Sequence, residues 1–169
     1  MNYPKKSTYD RKVVEMDRAG TTIYSWFTPP RMSTVGGYDP ESGHLFLYDF
    51  PTHTVFETSA NGQVLYFFDV SLEGGTLYDI AYNPGTRTLF AAYMAPDSFI
   101  LVEYRHRKQG LWIESHIYDL SSTGLFRTFS LDIDSSSDPS DPTDSSGRFY
   151  IQDMNAIVSF RLKDLPQIR

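Results

Sequence analysis

The strongest constraint on this chain is a hairpin written twice. Residues 77–90, LYDIAYNPGTRTLF, read as a strand, a tight Asn-Pro-Gly turn and the start of a second strand, and GGYDPESGHLF about 44 positions upstream repeats the pattern. The stretch that follows the upstream copy, PTHTVFETSANGQVLYFFDV, adds two β-rich runs parted by Ala-Asn-Gly. Asn-Gly readily takes the positive φ of a hairpin turn, so each copy opens a four-stranded unit. The first unit spans 34–70, with strands expected at 34–38, 44–49, 54–58 and 63–70. The second spans 76–120, with strands expected at 77–82, 88–93, 99–106 and 111–120.

Both flanks align with parts of the same unit. VVEMDRAGTTIYSWF overlays VFETSANGQVLYFFD at a constant shift of 42, matching Glu15 with Glu57, Gly20 with Gly62 and Tyr24 with Tyr66. Residues 11–30 therefore read as the third and fourth strands of an earlier unit. At the other end, residues 127–163 supply first, second and third strands around an acidic Ser/Asp/Pro insertion at 134–147, and no fourth strand follows. Thirteen strands and almost no apolar spacing at three and four make the chain all-β over one domain, 1–169. Four-stranded units at a period of roughly 40 to 50 residues are the signature of propeller blades. About three blades are present, fewer than the roughly four that closure needs. The expectation is a partial β-propeller completed by more chain or by self-association, since open apolar faces and unpaired strand edges are avoided.

Composition narrows the class. The chain is 40% hydrophobic and 15% aromatic over 169 residues, enough for a packed core. Of the net charge of −6, five charges belong to Asp132, Asp134, Asp138, Asp141 and Asp144, so the acidity is local. The strongest basic run, YRHRK at 104–108, is short and reads as a solvated hairpin end, which disfavours nucleic acid as a partner. Cysteine is absent, removing disulfides, thiolate metal sites and cysteine nucleophiles. No apolar run approaches the roughly 18 residues of a spanning helix, and the amino terminus has no leader-like apolar core, so a soluble chain without a membrane span is expected.

FYIQDMNAIVSFRL resembles the second and third strands of NHL-type repeats, where a strand ends in Asp, a polar turn follows and an apolar strand reopens. LYDIAYNPGTRTLFAAY is similar to the first hairpin of the broader group of six-bladed propellers that includes lactonase-like and TolB-like proteins. The likeness covers about residues 11–163, and it departs at Tyr93, which stands where the other units carry Asp49 and Asp153.

Strand order assigns the loops to two sides. The connections between units and those between second and third strands share one side, which holds Asp49, His53, Glu73, Asp79, Asp97 and Asp153. The resemblance to lactonase-like propellers implies a ring of carboxylates holding a divalent cation such as calcium. The residues themselves favour Asx caps for Asp49 and Asp153, whereas Asp79, an acid among apolar neighbours, needs a partner. Asp132, Asp134 and Asp138 alternate as in calcium loops, but the turn glycine and terminal Glu of such loops are missing, which favours a solvated loop. No nucleophile elbow or phosphate-binding glycine loop occurs. Trp26, Trp112, Tyr48, Tyr93 and Tyr118 are either core aromatics or platforms for a glycan or peptide. His106 and His116 are expected to face each other or solvent across an outer hairpin. The resulting expectation is a noncatalytic binding or interaction module presenting a loop face to a protein or glycan. The alternative is a metal-dependent hydrolase of the lactonase-like kind.

Overall fold

The computed structural model describes residues 12–28, 32–107, 110–123, 130–134, 147–152 and 157–168. Thirteen strands and two 3-10 turns, Ser121–Thr123 and Leu162–Asp164, account for the regular structure among them, so the chain is all-β. The first sheet is a hairpin, β1 (Lys12–Met16) and β2 (Thr22–Phe27). The second is an antiparallel meander of β3 (Met32–Asp39), β4 (His44–Asp49), β5 (Thr54–Thr58) and β6 (Val64–Asp69). The third repeats it with β7 (Thr76–Asn83), β8 (Thr88–Ala95), β9 (Ser98–His106) and β10 (Trp112–Asp119). The fourth has three strands, β11 (Ser130–Asp134), β12 (Arg148–Gln152) and β13 (Ile157–Phe160).

The repeated turn has one construction. Asp39 accepts hydrogen bonds from the Glu41 amide (3.0 Å) and the Ser42 hydroxyl (2.7 Å), and Asn83 accepts from the Gly85 amide (2.9 Å) in the second copy. A short polar side chain thus closes each turn onto its own backbone. The turn then needs a left-handed residue, supplied by Gly43 (φ 74°) in the first copy and by Arg87 (φ 54°) in the second. Arg87 reaches back to Glu41 at 2.6 Å, tying the two turns together.

Alternation along the strands sends side chains into two successive layers. Phe46, Tyr48, Val55 and Phe68 of the second sheet pack against Leu89, Ala91, Tyr93, Val102 and Trp112 of the third. The opposite face of the third sheet, through Phe90, Ala92, Leu101 and Tyr118, packs against Leu131, Phe149, Ile151 and Phe160 of the fourth. Strand β8 is therefore buried on both faces, with Leu89 and Ala91 fully covered on one side and Phe90 and Ala92 nearly so on the other. Rings lock the layers: Phe68 stacks on Trp112 at 5.3 Å, and Phe90 meets Phe149 edge-on at 4.7 Å. The first strands adjoin one another across sheets, β3 beside β7 and β7 beside β11.

Outer turns are sealed by the preceding sheet. A Cβ at Gly62 (φ 86°) would come within 2.5 Å of the Trp26 ring, and one at Gly110 (φ 74°) would collide with the Tyr66 ring. The chain end behaves differently from the repeat. After β13 it passes the 3-10 turn Leu162–Asp164 and runs along the outer edge of β10, where the Asp119 amide donates to Pro166 O (3.0 Å) and the Ile168 amide to Ile117 O (2.8 Å). Gln167 pairs with Tyr118, and Leu162 and Leu165 pack on the second core layer. The carboxyl-terminal segment thus lies on the third sheet, while the fourth ends at β13 among the described residues.

Candidate functional site

The loop side named from sequence is held by local ties. Asp49, at the end of β4, is buried and accepts from the Thr52 hydroxyl at 2.5 Å, while its Oδ1 has no hydrogen-bond partner among the described residues. His53 sits in the left-handed region (φ 53°), its Nδ1 is 2.9 Å from the Tyr48 hydroxyl, and its carbonyl accepts from the Val70 amide. Burial, then the nearby Asp49 and Asp69 charges, push the Tyr48 phenol up to about 12. Asp69, which the sequence did not single out, is held below the usual carboxylate range by the Ser71 amide and hydroxyl, with His53 adding to the effect.

Asp79 has the partner its burial demands. A bulge in β7 between Leu77 and Asp79 re-aims the side chain, which accepts from the Ile80 amide (2.9 Å) and from the Leu131 amide of the fourth sheet (2.8 Å). Desolvation dominates and raises its pKa, the two amides oppose the rise, and Asp132 adds to it. Glu73 and Asp97 are exposed, and Asp153 lies outside the described residues. No group of three or more His, Asp or Glu side chains that could hold a metal forms among the described residues. Asp132 and Asp134 lie in β11, opposite Tyr150 and Arg148, within the stretch read from sequence as a first strand. Asp138 and most of the insertion lie outside the described residues.

Two buried glutamates were missed. Glu57 and Glu103 occupy the same place in the second and third sheets, opposite Phe46 and Phe90 of the neighbouring strand. Glu57 accepts from His44 Nδ1 (2.7 Å) and from the Trp112 indole (3.2 Å) across the intersheet gap. Glu103 binds His116 Nδ1 (3.1 Å), the Tyr118 hydroxyl (3.0 Å) and Arg105 Nε (2.7 Å). The pairing of His106 with His116 is thereby corrected: a bulge in β10 sets His116 opposite Glu103, and His106 instead lies opposite Trp112. The overlay of Glu15 on Glu57 was the available signal, a charged residue recurring within apolar strands. Of the five aromatics considered as platforms, Trp112, Tyr48, Tyr93 and Tyr118 are buried, leaving Trp26 partly open.

The two ends of the stack differ in character. On the hairpin, Tyr24 and Trp26 border the space against the second sheet, alternation places Phe27 on the outer face, and Ile23 and Phe27 are 62% and 64% exposed. Met16 on the adjoining strand is also exposed. At the opposite end, the face of the fourth sheet turned away from the core carries Asp132, Asp134, Arg148, Tyr150, Gln152 and Ser159, with one large apolar side chain, Ile157, 70% exposed beside Gln152. No family model matches the sequence, and no curated protein is significantly similar to it.

Proposed function

We propose that the chain is a noncatalytic interaction module of the propeller type that self-associates through its hairpin end. The observation that carries this reading is the exposure of three large apolar side chains, Met16, Ile23 and Phe27, on the hairpin at one end of the stack. Exposed large apolar side chains close together on one element are the mark of a docking surface. The propeller assignment, with its likeness to NHL-type and lactonase-like repeats, is supported by the adjacency of the three first strands β3, β7 and β11. The polarity of the two ends favours a two-fold pairing of hairpin faces. Head-to-tail closure would set Ile23 and Phe27 against the charged side chains of Asp132, Asp134 and Arg148, removing water from them without adding a polar contact. The competing hydrolase reading would have to draw on Asp49 Oδ1, since Asp49 Oδ2 serves the Thr52 hydroxyl and Asp79 serves two backbone amides.

Light scattering over a range of concentrations tests the proposal. A dimer is expected, and Ile23→Lys combined with Phe27→Lys is expected to yield a folded monomer, since both side chains are exposed. A wild-type chain that stays monomeric throughout, or a dimer indifferent to both substitutions, overturns it.

A further inference from the structure

The turns β1–β2, β5–β6 and β9–β10 each place a glycine at positive φ: Gly20 (83°), Gly62 (86°) and Gly110 (74°). The residue before that glycine is Ala19, Asn61 and Gln109 in turn, so the middle copy alone sets an asparagine side chain beside a glycine amide. In that copy the Gly62 amide donates to Ser59 O (2.9 Å) and the Ser59 amide to Gln63 O (2.9 Å). The Ser59 hydroxyl donates to Asn61 Oδ1. Asn61 is exposed at the tip. Behind it the Trp26 ring lies on Gly62 so closely that a Cβ there would meet it at 2.5 Å.

We infer that Asn61 is a site of spontaneous deamidation, restrained by the Trp26 ring on Gly62. The Gly62 nitrogen attacks Asn61 Cγ: the N–Cγ bond forms, the Cγ–Nδ2 bond breaks, and the Gly62 amide proton leaves with the side-chain amino group as ammonia. Water then opens the succinimide at either imide carbon–nitrogen bond, leaving aspartate or isoaspartate. The chemistry needs only water. Glycine favours the attack because it has no Cβ to obstruct the approach. The Ser59 hydroxyl draws charge from Cγ through Oδ1 and stabilises the oxyanion that develops there. Two contacts oppose the attack, since the hydrogen bond from the Gly62 amide to Ser59 O and the Trp26 ring both hold the turn shut. Reaction therefore proceeds from locally opened turns, and exposed hairpin tips open at low free-energy cost. Asn83 provides the contrast. It too sits in a hairpin turn, but the next residue is Pro84, whose nitrogen carries no proton to release. Isoaspartate at position 61 lengthens the backbone by a methylene beneath Trp26, so conversion loosens the hairpin's seat on the second sheet.

Incubation of the whole chain at neutral and at mildly alkaline pH, followed by peptide mapping and an enzymatic isoaspartate assay, tests the site. A synthetic peptide of residues 57–65 supplies the rate without the fold. Conversion at Asn61 is expected in the whole chain, slower than in the peptide and faster at the higher pH, with Asn83 unchanged. Asn61→Ala, which repeats the choice made at Ala19, should abolish it and keep the turn. Trp26→Ala should raise the rate about threefold or more, with the circular dichroism spectrum showing that the chain stays folded. Trp26→Phe, with a smaller ring over Gly62, should give a lesser acceleration and serves if the alanine variant does not fold. An Asn61 that stays intact in the whole chain while the peptide converts completely overturns the inference. So does a folded Trp26 variant that converts no faster than the wild type.

Discussion

Asp79 holds one carboxylate between two strands that do not share a sheet, β7 and β11. Its ordinary value of 3.8 is raised in the fold because burial outweighs the two amide donors. Between the unfolded and folded values, the folded chain keeps a proton that the unfolded chain has released. Stability from this group is therefore full at low pH, falls as pH rises through that interval and is flat above it. Asp79→Ala should lack this slope and, by leaving the Leu131 amide unpaired, should be about 1–3 kcal/mol less stable near neutral pH. Urea denaturation of both proteins across acidic to neutral pH checks the sign and the size. The sequence exposed the need for a partner, since an acid amid apolar neighbours cannot stay solvated. It did not expose Leu131, because the bulge that aims Asp79 leaves no mark on the alternation of β7.

Strand positions were legible wherever alternation and turn chemistry coincided. The Asp39 and Asn83 turns announced their hairpins, and the overlay of 13–27 on 55–69 located the antiparallel pair β1 and β2. The carboxyl-terminal segment was illegible for a physical reason: its pairing with β10 is short, contains Pro166 and carries no periodicity. Such a segment still covers an edge that would otherwise offer unpaired backbone groups. A chain ended at Asp164 loses three backbone hydrogen bonds and the packing of Leu165, and is expected to be about 2–4 kcal/mol less stable. Thermal denaturation measures that loss, and light scattering on heating should show earlier aggregation through the bared edge of β10. The buried glutamates were half legible, in that the recurrence was visible and the His44, His116 and Trp112 partners, which lie in other strands, were not.

Across the whole molecule, burial is greatest in the third sheet and declines toward both ends. Strands β8 and β9 have neighbours on each face, whereas the hairpin is covered on one face by the second sheet. Hydrogen exchange should follow this gradient, with the β8 and β9 amides slowest and those of β1 and β2 fastest. Equal protection in the hairpin and in β8 would contradict it. The carboxyl-terminal pairing has a topological outcome as well. The chain leaves the third sheet after Asp119 and returns to that same strand at Pro166–Ile168, so everything between is bracketed by two attachments to one edge. The fourth sheet is in this sense an insertion within the third rather than an appendage to it, and it cannot swing free unless the clasp at Ile117–Asp119 opens first.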